Sequence, residues 1–116
     1  MIIKNDGDVP VFEVEDSDAC HVSGQILIGP EDESENIIMR RFRIRPGGNT
    51  PRHHHPHEHV VNVMKGRGRI VDELGREHEI RQGQSAFVPG GEEHQFRNPS
   101  DEPLEFLCII PNTDRR

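Results

Sequence analysis

A chain of 116 residues with a formal charge of −7 suits one domain and leaves no room for a second. Its 21 acidic against 14 basic residues speak against nucleic acid as a partner; no stretch is long enough to span a membrane, and the start MIIKNDGDVP lacks the apolar core of a signal peptide, so a cytoplasmic protein is expected. Cys20 and Cys108 are too few for a disulfide framework, and five Phe with no Trp or Tyr make a slim core that self-association would help to complete.

The N-terminal run around Ile2, Ile3, Val9, Val11 and Phe12 has no evident place in a central barrel. It is expected to pair with a sheet edge of a second subunit, giving a two-fold homodimer. Beyond it, no window repeats apolar positions at three and four, and nine Pro and eleven Gly cut the chain into pieces too short for helices. The β-favouring runs are 25–28, 37–45, 60–65, 68–74, 77–80, 85–88, 95–98 and 104–110, separated by turn residues such as Pro46-Gly47-Gly48 and Pro89-Gly90-Gly91. Strands at this spacing predict an all-β sandwich or barrel. The acidic run Glu31-Asp32-Glu33-Ser34-Glu35 reads as a solvated loop.

Two runs show which way they face. In 37–45, Ile38, Arg40, Phe42 and Ile44 share the inward side, and Met39, Arg41, Arg43 and Arg45 point outward. Arg40 is then a cation on an apolar face. It is either a rim residue reaching solvent along its stem or a cationic group beside a pocket. In 104–110, Leu104, Phe106, Cys108 and Ile110 share one side, and polar Glu105 on the other side marks the first as inner. Cys108 reads as a small buried apolar residue, with a redox or catalytic role as the alternative.

Five of the eight histidines fall between His53 and His59. The run is internal, broken by Pro56, and lies between a Pro-Gly-Gly turn and a strand. Side chains two apart on an extended segment point the same way, so His53 and His55 can grip one ion while His54 faces away. His59 opens the next strand and returns to the same side once Pro56 bends the chain. His94, far along the sequence, follows the Pro89-Gly90-Gly91 turn and opens another strand. Neutral imidazoles on rigid strands suit Mn, Fe, Co, Ni, Cu or Zn.

These residues resemble the two motifs of the cupins. Gly47, His53, His55, position 59 and Gly66 fall in register with the first; Gly83, Pro89, Gly91, His94 and Asn98 fall in register with the second. The one departure is His59, where the motif has Glu; Glu58 lies one place away, and a one-residue shift on a strand turns a side chain to the other face. In the stretches Arg52-His53-x-His55-Pro56-x-Glu58-His59 and Phe106-Leu107-Cys108-x-Ile110-Pro111 the chain resembles small single-domain cupins with a tetra-histidine manganese site. The resemblance implies a jelly-roll barrel (a double-stranded β-helix) over residues 1–116, with a metal-binding core at about 37–110 and N-terminal strands at about 1–29 in a dimer interface. It implies one divalent transition metal on His53, His55, His59 and His94, manganese first and iron, nickel or zinc as alternatives, with two open cis positions. His21, His54, His57 and His78 fall outside that set.

Four neutral ligands would leave the full charge on the ion, strengthening it as a Lewis acid and as a site for chelating oxygens. The expected activity is therefore a dioxygenase-like oxidoreduction of a small oxygen-rich or chelating substrate. The alternatives are an isomerase or lyase of sugars or oxo-acids, or a non-catalytic small-molecule binder. Arg40, Phe106 and Cys108 are the pocket candidates. His57 and Glu58 read as an exposed loop pair, and Gln95 as an ordinary strand residue.

Overall fold

Pairing of the short runs is seen in a computed structural model that describes residues 1–113. Among the described residues the strands are β1 (Phe12–Glu13), β2 (Cys20–Ile28), β3 (Ile37–Asn49), β4 (His59–Lys65), β5 (Arg67–Val71), β6 (Glu77–Arg81), β7 (Ser85–Val88), β8 (Gln95–Arg97) and β9 (Leu104–Pro111). Among the described residues helix is confined to two 3-10 turns, Asp6–Asp8 and Pro30–Asp32. All strand pairs are antiparallel. One layer runs β1-β2-β3-β9-β4-β7; the other runs β6-β5-β8 and joins the first where Asn49 of β3 meets Arg97 of β8. The result is the jelly-roll barrel expected. No helix among the described residues is long and apolar enough to cross a membrane.

Cross-strand register explains why the core works with so few aromatics. Phe12, Gly24, Phe42, Phe106 and Val63 lie opposite one another in sequence across five strands, on the inner face. The next inner row is Ile26, Arg40, Cys108, Val61 and Ala86. Phe106 stacks on Phe96 at 4.4 Å and lies 5.7 Å from Phe42. Ile44, Leu104, Val22, Val61 and Val63 fill the remaining centre.

The expected faces of β3 and β9 hold, with corrections. Leu104, Phe106 and Cys108 are buried as expected, but so is Glu105, at 7 % exposure. Its carboxylate accepts from Arg41 Nη2 at 2.8 Å, and Asp6 from the N-terminal segment approaches the same arginine at 4.0 Å. A buried carboxylate is tolerable because it is paired. Part of the N-terminal run finds a place within its own chain. Phe12–Glu13 pairs with β2 of its own chain, and Val9 is buried. The reason is Gly24, which leaves a gap that the Phe12 ring fills; an added Cβ would stand 2.8 Å from that ring. Asp32 in the acidic run is likewise tied down, by the Gly29 N–H and by Lys4 at 3.0 Å.

Boundaries shifted where a turn residue proved compatible with a strand. β3 continues through Pro46-Gly47-Gly48 to Asn49, and β2 begins at Cys20. Asn98, the last motif residue, is 1 % exposed. Its side chain donates to the carbonyls of Ile44 and Glu102 and accepts from the N–H and hydroxyl of Ser100. That is a structural role: one buried amide ties β3 to the β8–β9 turn.

Candidate metal centre

Segment 49–53 runs antiparallel to 94–97 but cannot form a full ladder, because Pro51 has no N–H to give. Two anchors replace it. Thr50 donates its N–H to Phe96 O at 2.9 Å and accepts the Phe96 N–H on its hydroxyl. His53 and His94 form an isolated bridge and exchange both backbone hydrogen bonds, at 3.3 and 3.1 Å. Directly opposed residues project to the same side of a sheet. Gln95, one residue on, binds Thr50 O through its amide, as expected of an ordinary strand residue.

The Pro-Gly-Gly turn locks the other histidines. Gly91 has φ +82°, in the left-handed region glycine adopts without strain, and donates to His55 O at 2.6 Å. Gly90 packs so closely on the Pro56 carbonyl that a Cβ would collide with it. His59 then opens β4 with its side chain inward, in phase with Val61 and Val63.

His53, His55, His59 and His94 line one cavity of about 390 Å³. His59 and His94 are 4 % and 5 % exposed. The Nε2 atoms of His53 and His55 stand 3.2 Å apart. Two nitrogens bound side by side to one ion at about 2.0–2.1 Å each would be roughly 3 Å apart. The His59 and His94 rings are 4.9 Å apart, and the His55 and His59 rings 5.4 Å. His94 Nδ1 lies 2.9 Å from Glu92 O. Donating there fixes the tautomer and frees Nε2 as a lone-pair donor. Burial, then the neighbouring imidazoles, hold His55 down at about 4 and His59 at about 3; burial also lowers His53. All three are therefore neutral at pH 7, the form that binds metals.

Among the described residues no three His, Cys, Asp or Glu side chains already stand close enough to enclose an ion. Histidine χ2 is a broad torsion, so the rings turn at little cost. Two buried side-chain polar atoms among the described residues lack any partner: Arg40 Nε and His59 Nδ1. Both belong to residues lining this one cavity. Native proteins leave few such atoms, and each calls for an explanation such as an ion or ligand. The donor set therefore fits a divalent transition metal.

The remaining candidates divide cleanly. Arg40 and Cys108 line the cavity, with Arg40 Nη2 3.2 Å from the Cys108 sulfur and its guanidinium 5.0 Å from the Phe42 ring. Of the two readings of Arg40, the geometry matches the cation beside a pocket. Burial pushes the Cys108 thiol up, so it stays protonated, as suits a buried apolar residue. Phe106 lines the same cavity, and so do Phe42, Phe96 and Phe12, which the sequence reading did not single out. Phe12, Phe42 and Phe106 share one inner-face row, and Phe96 faces them from β8. His54 and Glu58 are exposed. His57 is half-buried, because its ring stacks on His55 at 4.9 Å, and it does not line the cavity. His78 lies elsewhere, 2.9 Å from Asp72.

The cupin domain model matches residues 40–110, which contain both histidine motifs and the strands that carry them. The chain is a cupin. Its relatives show how widely this fold is used. It is 38% identical over 78 residues to a 1-methylthio-D-xylulose 5-phosphate methylsulfurylase of Rhodospirillum rubrum, covering 66% of this chain and 48% of that protein. It is 30% identical over 74 residues to an oxalate-binding protein of Thermotoga maritima, covering 63% and 60% respectively. Among solved structures, the polyketide cyclase RemF from Streptomyces resistomycificus superposes with a TM-score of 0.90 at 29% identity, over 96% of this cupin and 79% of that chain. The cupin thus spans about half the length of the first relative and three fifths of the second.

Proposed function

We propose that this cupin is a metal-dependent enzyme of the dioxygenase type, acting on a small molecule that presents two adjacent oxygens from an apolar body. The observation that carries the reading is that one cavity is lined by four imidazoles and also holds the two unpartnered buried nitrogens. A divalent transition ion, manganese first and iron, nickel or zinc as alternatives, would supply Lewis acidity there and, if redox-active, access to dioxygen. His53, His55, His59 and His94 would hold it. Glu92 O keeps His94 in one tautomer. Phe42, Phe96 and Phe106 exclude water from the cavity and offer flat apolar surface.

A second reading is a non-redox isomerisation or cyclisation, favoured by the likeness to a polyketide cyclase over nearly the whole chain. Dioxygen uptake by manganese- or iron-loaded protein, with a panel of 1,2-diketones, phenols and thiols, tests the first reading. Uptake that His59→Ala abolishes supports it. Product formed under strict anaerobiosis supports the second reading instead. A thermal shift with no turnover in either atmosphere would leave a binder.

We also propose a homodimer through the outer face of the larger layer. Met39, Ile109, Val60 and Phe87 form one row across β3, β9, β4 and β7, and the last three are 38%, 49% and 57% exposed. A second copy meeting the same row about a two-fold axis would cover it. Light scattering should give twice the chain mass, and Phe87→Asp should reduce it towards the monomer.

A further inference from the structure

Among the described residues the other arginines have a carboxylate or water. Among the described residues Arg41, Arg45, Arg52, Arg69, Arg76 and Arg97 each reach a carboxylate, and Arg43, Arg67 and Arg81 are exposed to water. Arg40 has neither resource. It is part-buried, its Nη2 spends one donor on a sulfur, its Nε has no partner, and no carboxylate pairs with it among the described residues. A guanidinium does not give up its proton in a protein. Glu15 and Asp16 also line this cavity, but among the described residues neither forms an ion pair with Arg40, whose guanidinium sits between Cys108 and the Phe42 ring. Burying an unpaired charge is expensive, and an occupant of the cavity can remove that cost.

From this arrangement we infer that the cavity takes a flat organic monoanion, an aromatic or conjugated carboxylate, whose charge is met by Arg40 and whose face lies against the phenylalanines. The fork of a guanidinium matches a carboxylate with two parallel hydrogen bonds. Phe42 lies directly opposite Phe106 in register, two residues from Arg40 on the same face, and Phe96 stacks on Phe106. They offer a planar ligand a continuous aromatic wall beside the cation. The Phe42 ring under the guanidinium holds the head in place before a ligand arrives. The inference names the substrate class of the proposed enzyme and rests on that reading only in placing the ligand in this cavity. Anion binding itself needs no metal.

Calorimetric titration of the full chain with benzoate, and with benzamide as its neutral counterpart, tests it. The titration is run on protein as purified and again after dialysis against a chelator. Benzoate should bind saturably in both states, and benzamide at least about tenfold more weakly. Arg40→Met should weaken benzoate roughly tenfold or more; Arg40→Lys, which keeps the charge but not the fork, should fall between; Arg43→Met should change nothing. Arg40→Lys keeps the comparison open if the Met variant does not fold. The inference is overturned if wild-type protein fails to bind benzoate, if benzamide binds as tightly, or if Arg40→Met binds like wild type. Benzoate binding that needs the metal and ignores Arg40 overturns this inference and leaves the metal reading intact. Benzoate binding by a chain that takes up no metal overturns the metal reading alone.

Discussion

Arg40 and Arg41 are adjacent on β3 and face opposite sides of one sheet. On the outer side, Arg41 binds Glu105 at 2.8 Å and approaches Asp6, and Glu105 is also near Lys65 at 4.0 Å. On the inner side, Arg40 meets a thiol, an aromatic face and empty space. The histidines divide in the same way. His78 at a far turn has Asp72 for a partner, whereas among the described residues no cavity histidine pairs directly with a carboxylate, and Asp16 acts on His53 only through its charge. The outer face spends its polar groups on the fold. The inner face keeps strong donors unspent on the wall of a cavity. Unsatisfied groups in a cavity are a cost to stability, and their concentration there is what points to a ligand.

The sharpest contrast in stability should come from neighbouring residues of β9. Phe106 is 1 % exposed and stacks with two other rings, so Phe106→Ala should cost about 3–5 kcal/mol. Leu107, half-buried on the outer face, should cost about 1 kcal/mol as Leu107→Ala. Urea unfolding of both variants measures the difference, and equal losses would mean that the faces are misassigned.

The histidines should separate next. His59→Ala removes a buried donor and should weaken metal binding by about 100-fold or more, since even outer partners of ligands are worth about 10–100-fold. His57→Ala removes a ring stacked on His55 and should leave the metal content unchanged. The reverse pattern would mean that the ligand register of the first motif is wrong.

The two arginines themselves should respond with opposite signs in ligand-free protein. Arg41→Met strands a buried carboxylate and should lose about 1–2 kcal/mol. Arg40→Met removes an unpaired cation and should be neutral or gain up to about 1 kcal/mol. Matching losses would show that Arg40 is paired in solution.

The cavity histidines also set a pH dependence. Folded His55 and His59 resist protonation down to about 4 and 3, while the unfolded chain takes up protons at about 6.5. The unfolded state therefore binds more protons below pH 6.5, and the stability of metal-free protein should fall as pH drops from 6.5 towards 4. Asp72 acts later: its His78, Leu74 and Arg76 hydrogen bonds hold its carboxyl well below the ordinary range, so its contribution persists above pH 3.8 and is lost in stronger acid. A melting temperature that is flat between pH 6.5 and 5 would contradict the burial of the two imidazoles.

Much of this was legible beforehand because period-two alternation and turn residues act locally. Ile38, Phe42 and Ile44 declared the inner side of β3, and glycine and histidine spacing declared both motifs. What was hidden depends on contacts between distant segments. Glu105 looked like a surface residue because nothing nearby shows that Arg41 lies across from it. Phe12 looked unplaced because the space it fills is created by Gly24. His57 looked solvated because its stacking on His55 depends on how Pro56 turns the chain. That no carboxylate among the described residues pairs with Arg40 is likewise visible only once the barrel is closed.

X-ray absorption on manganese- or iron-loaded protein tests the central claim most directly, because it counts imidazoles around the ion without reference to activity. Four histidine nitrogens in wild-type protein, falling to three in His59→Ala and staying at four in His57→Ala, is the expected result. Two or fewer imidazoles in wild-type protein, or a shell that His57→Ala changes and His59→Ala does not, would contradict it.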